Sequence, residues 1–179
     1  MSQLTEPPKR VLSPYAPKLL LNLQCQGKSN NCGPYTTAVI VNSFRNTELK
    51  GDKLAEEMNN IAWRGIFPIV RRLRNSATFP WGMVDVFLRH DLAASWSLFT
   101  SVDKLLTLLN AGEILMPVIG TWKPLYAHVM TLIAWDEKEG FGFANTQYPT
   151  KEIYWMPAEN FTRMWKNMGN LLVRIKKVA

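Results

Sequence analysis

Residues 26–45 read QGKSNNCGPYTTAVIVNSFR, and the change from a polar run to an apolar helix within them decides the fold. The polar run ends at Asn31, a residue type that is favoured at the N-cap of helices. Pro34 falls in the first turn that follows, where its missing N–H costs little. Apolar side chains then recur at helical spacing, so the sequence predicts a buried helix from Cys32 to about Arg45.

Helical spacing of apolar residues also predicts helices further along the chain. The clearest of them begins after Ser101, a good N-cap residue, and ends at Gly112, which is typical of a helix C-terminus. The other predicted helices span residues 52–62, 81–89 and 158–166.

After Gly112 the apolar pattern changes to that of short strands. The predicted strands are residues 114–119, 127–135, 141–145, 151–156 and 171–175. The polar segment 136–140 lies between two of them and is typical of a hairpin turn. Because helices come first and antiparallel strands follow, the sequence predicts an α+β fold without the βαβ alternation of a nucleotide-binding fold.

The chain of 179 residues has the length of one domain, and 47% hydrophobic with 20% charged residues excludes a disordered or fibrous protein. We interpret residues 1–20 as a proline-rich N-terminal arm and residues 21–179 as a single domain. Neither a signal peptide nor an apolar run of membrane-spanning length is visible. We therefore expect a cytoplasmic protein with reduced thiols and no membrane partner.

Cysteine and histidine are scarce, and this scarcity limits the chemistry available. The chain has two cysteines, Cys25 and Cys32, and two histidines, His90 and His128. No two of these residues have the spacing of zinc ligands, so we expect no metal and no cofactor. Any thiol or imidazole chemistry must use these four side chains.

Cys32 has the most favourable position among them, at the start of the predicted helix. Unpaired N–H groups and the positive end of the helix dipole stabilise a thiolate there, and a thiolate can attack carbonyl carbons. Gln26, six residues earlier, could combine its amide with the N–H of Cys32 to hold an oxyanion. The alternatives are a small cysteine that packs a helix start and a glutamine in a solvated loop.

His128 and Asn145 lie in the two arms of the predicted hairpin. A turn with an even number of residues would place them on the same face of the sheet, and an odd turn would place them on opposite faces. The spacing therefore allows Asn145 to orient the imidazole of His128 without establishing it. His90 follows a predicted helix beside charged residues, so we expect it to be exposed and not catalytic.

Gln26, the run Cys32-Gly33-Pro34, His128 and Asn145, in this order, resemble the papain-like cysteine peptidases. The closer resemblance is to the branch of bacteriocin-processing peptidases, which cut after double-glycine leaders, and to its stand-alone relatives. It spans roughly residues 22–173. The resemblance implies a papain-like fold in which an N-terminal helical part, with the nucleophile at a helix N-terminus, packs on a C-terminal antiparallel sheet.

The resemblance also implies a role for each residue of the motif. Cys32 is the nucleophile, His128 the general base and then acid, Asn145 the residue that orients it, and Gln26 the oxyanion donor. Asn145 and Thr146 stand where that branch usually has Asp followed by Pro. The implied activity is hydrolysis of a peptide or isopeptide bond in a polypeptide substrate.

Two other functions stay open at this point. The same thiol scaffold could transfer an acyl group to an amine in place of water. Alternatively, a net charge of +7 suits a non-catalytic basic module, supported by four arginines in one stretch: Arg64, Arg71, Arg72 and Arg74. We interpret these arginines as one solvated helix face, and we expect no nucleic-acid partner because no binding motif accompanies the charge.

Trp122 is the remaining candidate for the site. It precedes His128 by six residues, in a loop that leads into the predicted catalytic strand. Such a loop can form the wall of a substrate cleft, so we propose Trp122 as a substrate-binding residue. Packing in the core is the alternative for this large aromatic side chain.

Overall fold

The computed structural model describes residues 9–176, in which most helices lie in the first part of the chain and most strands in the second. The helices are α1 (Ala16–Leu21), α2 (Cys32–Arg45), α3 (Gly51–Met58), α4 (Pro80–Arg89), α5 (Val102–Asn110) and α6 (Ala158–Asn167). The strands are β1 (Arg10–Leu12), β2 (Ala62–Arg64), β3 (Phe67–Ile69), β4 (Ala94–Ser97), β5 (Ile114–Trp122), β6 (Leu125–Val129), β7 (Thr131–Asp136), β8 (Gly140–Ala144), β9 (Tyr154–Met156) and β10 (Leu172–Ile175). Within residues 9–176, every helix is too short or too polar to cross a membrane.

The main sheet has the strand order β4-β10-β5-β7-β8-β9, with antiparallel neighbours throughout. β5 divides its pairing between two regions. Its first half pairs with β10 and β7, and its second half pairs with β6, so that Ile119 lies opposite His128. The β5–β6 hairpin therefore extends beyond the pairing of β5 with β10 and β7.

Helices cover both faces of this sheet, because neighbouring residues of a strand point to opposite faces. Ile114 and Met116 of β5 pack in a core with Val39 of α2 and Phe87 of α4. The residue between them, Leu115, packs in a second core with side chains of α5 and α6. The α+β fold class predicted from the sequence is confirmed, with the N-terminal helical part on one face and α5 and α6 on the other.

The strand predicted over residues 127–135 is two strands. β6 ends at Val129 and β7 begins at Thr131, and they pair with different halves of β5. Met130, between them, is itself fully buried. Since the chain stays apolar through the break, the hydrophobic pattern contains no signal of it.

The hairpin between β7 and β8 has an odd turn. Asp136 pairs with Gly140, which leaves the three residues 137–139 in the turn. A β-bulge between Leu132 and Ala134 then shifts the register by one residue. The rule that decides which residues of β7 and β8 share a face of the sheet is therefore reversed from one side of the bulge to the other.

Part of the predicted N-terminal arm belongs to regular secondary structure. β1 pairs with β7 at the sheet, and α1 buries Ala16 and Leu19 against the core that contains α2. The boundary predicted at residue 20 consequently falls inside α1. Residues 1–8 of the predicted arm lie outside the described part of the chain.

The expectation that the arginines around position 70 form one solvated helix face is wrong. β2 and β3 form a two-stranded hairpin before them, and the segment that follows is irregular. Arg71 and Arg72 are both 3% exposed. Arg71 is neutralised by Glu57, at 3.0 Å, and by Asp85, at 3.8 Å. These carboxylates offset the cost of burying Arg71, and a sequence of basic residues does not reveal them.

Phe161 of α6 tests this packing, because its ring lies 4.2 Å from that of Phe141 and 5.3 Å from that of Trp165. We expect Phe161→Ala to lower the free energy of unfolding by about 3–5 kcal/mol, since a fully buried ring leaves a cavity. Chemical denaturation measures this loss. The same change at Phe99, which is 83% exposed, should cost less than about 0.5 kcal/mol. Equal losses in the two variants would contradict the arrangement of α6 on the sheet.

Candidate active site

A cleft of about 530 Å³ lies between the N-terminus of α2 and strand β6. Residues 26–30 and 76–78 contribute to its lining from the helical part, and residues 125–129 contribute from β6. Cys32, His128 and Gln26 all line this cleft. The structure therefore brings three of the residues proposed from the sequence into one cleft.

Cys32 is the first residue of α2, as predicted, and it is half-buried. One turn later, the hydroxyl of Thr36 donates a hydrogen bond to the carbonyl of Val129 at 3.2 Å, and this bond ties α2 to the end of β6. Asn31, the predicted N-cap, uses its side chain elsewhere: Oδ1 accepts a bond of 2.8 Å from Arg72, and Nδ2 donates to Asp52 at 3.4 Å. The N-terminus of α2, where Cys32 lies, is thus held by hydrogen bonds to β6, Arg72 and Asp52.

His128 and Asn145 form a hydrogen bond of 2.9 Å between Nε2 and Oδ1. Both side chains are buried, with 4% and 3% exposure. The odd turn alone would have placed the two side chains on opposite faces of the sheet. The register shift of one residue at the β-bulge in β7 returns them to the same face. The backbone N–H of Gln147 donates to the same Oδ1 at 3.0 Å and keeps that oxygen directed inward.

This geometry determines which imidazole nitrogen carries the proton. Oδ1 of Asn145 can only accept hydrogen bonds, so Nε2 of His128 must be the donor. In neutral imidazole the other nitrogen, Nδ1, is then an acceptor. His128 therefore presents a base whose tautomer is fixed by Asn145.

Burial opposes charge on both members of the candidate pair. It raises the pKa of the Cys32 thiol, while backbone hydrogen bonds from Val129 and Gly33 and the positive charge of Arg72 act in the opposite direction. Burial also lowers the pKa of His128, and its hydrogen bond to Asn145 partly offsets this effect. A neutral thiol and a neutral imidazole within one cleft are thus the favoured forms in the free protein.

Hydrogen bonds to Ser29 and Thr146 hold Gln26 at the edge of the cleft. Its backbone N–H donates to the carbonyl of Thr146 at 2.7 Å, and its Nε2 donates to the carbonyl of Ser29 at 2.9 Å. Its Oε1 accepts from the hydroxyl of Thr146 at 2.8 Å. The alternative of a freely solvated glutamine side chain does not fit these contacts.

Trp122 and His90 lie outside the set of residues that line the cleft. Trp122 ends β5 opposite Leu125 and is 66% exposed, which excludes packing in the core. Leu125 and the next residue, Tyr126, are large side chains of this hairpin that do line the cleft. His90 is half-buried at the C-terminus of α4, where its carbonyl accepts a bond of 2.7 Å from Arg45.

Arg72 is the residue of the site that sequence analysis missed. Its guanidinium is buried against the loop before Cys32 and donates to Oδ1 of Asn31, at 2.8 Å, and to the carbonyl of Asn30, at 3.4 Å. Across residues 9–176, no carboxylate lies within ion-pair distance of Arg72. Instead of pairing with a carboxylate, the positive charge of Arg72 favours the thiolate form of Cys32. A run of basic residues in a sequence does not indicate that one of their side chains is buried.

Cys25, the second thiol, is exposed, and both cysteines are free. Its Sγ lies 3.9 Å from the carbonyl of Gln147, outside the cleft lining. In the described part of the chain, no three side chains of His, Cys, Asp or Glu come together as metal ligands would. The candidate chemistry of the cleft therefore belongs to the Cys32 thiol and the His128 imidazole.

Comparisons with known proteins support the fold. The chain is similar to a crystal structure from Bacillus anthracis that is described as a candidate C39-like peptidase, with a TM-score of 0.69 and 13% sequence identity. The match covers 96% of this chain and 100% of the other. No protein-family model matches the sequence, and no curated protein matches it.

At 13% identity this likeness shows the fold alone, and the papain-like fold class predicted from the sequence is confirmed. The chain has the fold of a C39-like peptidase, with Cys32 at the helix N-terminus and His128 on the sheet side. The more specific resemblance to bacteriocin-processing peptidases has no sequence-level support beyond the motif and stays a prediction. So do the roles of the individual residues.

The pH dependence of Cys32 alkylation tests the electrostatics of the cleft. In a Cys25→Ser background, burial should keep the thiol protonated, so the rate with iodoacetamide should still rise above pH 9.0, the ordinary thiol pKa. Mass spectrometry at a series of pH values measures this rate, and Cys32→Ala in the same background should abolish labelling. A plateau already reached below about pH 7 would instead indicate a preformed thiolate–imidazolium pair and contradict the expectation.

A second prediction concerns the buried guanidinium. Arg72→Gln removes the charge that favours the Cys32 thiolate, so it should raise the thiol pKa and slow alkylation at pH 8. Arg72→Lys keeps the charge and should have a smaller effect. Circular dichroism checks that both variants are folded. Equal slowing in the two variants would show that hydrogen bonding, and not charge, is what Arg72 contributes.

Proposed function

We propose that this protein is a cysteine peptidase, a thiol hydrolase that cleaves a peptide or isopeptide bond in a polypeptide substrate. The observation that carries the proposal is the hydrogen bond of 2.9 Å from His128 to Asn145. It fixes Nδ1 as the acceptor of a buried imidazole that shares a cleft with Cys32. The fold of a C39-like peptidase supports the same conclusion.

The first step is attack on the substrate carbonyl. Sγ of Cys32 forms a bond to the carbonyl carbon, the π electron pair moves onto oxygen, and the thiol proton passes to Nδ1 of His128. Because burial favours the neutral pair, this proton transfer accompanies the attack. Asn145 accepts from Nε2 throughout and stabilises the imidazolium that forms.

The oxyanion needs hydrogen-bond donors at this moment. The backbone N–H of Cys32 and Nε2 of Gln26 are the groups at the cleft that we assign to it. Removing one donor of this kind typically costs about 10²–10³ in kcat. The intermediate then collapses: the C–N bond breaks, and the leaving amine takes the proton from His128.

A second half-reaction restores the enzyme. His128 takes a proton from water as the water oxygen attacks the thioester carbon of acyl-Cys32. Collapse of this second intermediate breaks the C–S bond, releases the carboxylic acid and returns the proton to sulfur. An amine in place of water would give acyl transfer, which the same residues support.

The cleft suits an extended polypeptide. Leu125 and Tyr126 offer apolar surface beside the nucleophile, and Lys28 is the lysine that lines the cleft. A polypeptide partner, with neither nucleic acid nor membrane, and a cytoplasmic location stay our predictions. The basic-module alternative loses support because Arg71 and Arg72 are buried.

Turnover of a mixed peptide library tests this function. We expect Cys32→Ala and His128→Ala to lower hydrolysis by about 10⁴-fold or more. Asn145→Ala should lower it by about a hundredfold, because the imidazole loses its fixed orientation. Mass spectrometry identifies the products: carboxylic acids indicate hydrolysis, and new amides with the amines of library peptides indicate acyl transfer.

The matched controls are Cys25→Ser and His90→Gln, which change the second thiol and the second imidazole outside the cleft. Both variants should stay within about twofold of the unmodified protein, because neither side chain lines the cleft. Hydrolysis that persists in Cys32→Ala would refute the proposed function.

A further inference from the structure

We propose that Thr146 is a positioning residue for catalysis, whose hydroxyl holds the amide of Gln26 with its N–H side available to the oxyanion. The proposal rests on the proposed function, because Gln26 matters to catalysis only if an oxyanion forms at Cys32. It concerns the bond of 2.8 Å between Oγ1 of Thr146 and Oε1 of Gln26. Thr146 is 1% exposed, so this hydroxyl belongs to the interior.

The orientation of a glutamine amide decides whether it helps or hinders an oxyanion. A half-turn about the last side-chain bond exchanges Nε2, a donor, with Oε1, an acceptor. An oxygen directed at the developing negative charge would repel it. A glutamine that serves as an oxyanion donor therefore needs partners that distinguish its two ends.

Gln26 has such partners on both ends of its amide. The carbonyl of Ser29 can only accept, so it fixes Nε2 on its side, and Oε1 must then be the atom that faces Thr146. The hydroxyl of Thr146 is consequently the donor. The amide has two N–H protons, and the bond to Ser29 uses one of them. The second proton remains for an oxyanion in the cleft that Gln26 lines.

The other hydrogen bonds of this loop do not involve the hydroxyl of Thr146, so its contribution can be tested separately. The N–H of Gln26 donates to the backbone carbonyl of Thr146 at 2.7 Å, and Oγ of Ser29 donates to the carbonyl of Gln26 at 2.9 Å. Neither bond uses the side chain of Thr146. Thr146→Val, which replaces the hydroxyl with a methyl group of similar size, therefore leaves the loop attached and removes only the bond to Oε1.

Thr146 also follows Asn145 directly in the chain. Asn145 orients the base through His128, and the next side chain orients the oxyanion donor. One dipeptide after β8 thus positions groups on both sides of the substrate carbonyl. Through these two hydrogen bonds, Asn145 and Thr146 connect the end of β8 to β6 and to the loop before α2.

The experiment compares Thr146→Val with Thr146→Ser in the Cys25→Ser background, using two probes of Cys32. Iodoacetamide reacts by displacement of iodide and forms no oxyanion. The peptide aldehyde acetyl-Leu-Leu-norleucinal instead forms a hemithioacetal: sulfur bonds to the carbonyl carbon, the π pair moves to oxygen, and the thiol proton ends on that oxygen. Protection of Cys32 from iodoacetamide then measures the Kd of the aldehyde.

We expect Thr146→Val to raise the Kd of the aldehyde about tenfold and to lower kcat for a library-derived peptide by about the same factor. This loss is smaller than removal of the donor itself, since Ser29 still holds Nε2. KM and the iodoacetamide rate should change less than about twofold, because neither depends on the oxyanion. Thr146→Ser keeps a hydroxyl and should restore both affected quantities.

A double-mutant cycle shows whether Thr146 acts through Gln26. In a Gln26→Ala background, Thr146→Val should have no further effect on the aldehyde or on kcat. An effect that persists in that background, an unchanged Thr146→Val variant, or equal slowing of iodoacetamide would overturn the positioning role while leaving the peptidase assignment intact. If the unmodified protein neither hydrolyses peptides nor binds the aldehyde, the proposed function fails and the positioning role fails with it.

Discussion

The hydrogen bond from His128 to Asn145 joins two segments that the sheet places apart. His128 lies on β6, which pairs with the outer half of β5, whereas Asn145 follows β8. Three local features make the contact possible: the break after Val129, the odd turn between β7 and β8, and the bulge in β7. Because side chains in a strand alternate between faces, removal of the bulge alone would separate the pair. The candidate site therefore depends on a register defect in a central strand.

The electrostatic character of the cleft follows from how deeply this pair is buried. Desolvation favours neutral forms of both Cys32 and His128, so negative charge on sulfur needs support from fixed positive groups. The first turn of α2 and the guanidinium of Arg72 supply that support from the same side. Burial of Arg72 without a carboxylate partner is costly, and such a cost is typical of functional sites.

The elements that the sequence predicted are those with strong local signals. The helix Cys32–Arg45 was predicted with its observed bounds because a polar loop, a proline in the first turn and an apolar face all agree. Cys32, His128, Asn145 and Gln26 do come together at one site. The register that unites them could not be predicted, since neither the turn length nor the bulge has a signature in an apolar run. The inward turn of Arg72 likewise depends on contacts distant in sequence.

The division of β5 separates the part of the β5–β6 hairpin that carries His128 from its exposed tip. Ile119 and His128 pair near the base of the β5–β6 hairpin, and residues 122–125 form its tip, where Trp122 is exposed. Bonds from α2 and from the end of β8 brace the base, through Val129 and His128. Under the proposed function, changes of sequence or length at the tip would alter selectivity and leave the contact between His128 and Asn145 in place, which makes this hairpin a natural position for diversification and for grafting new specificities.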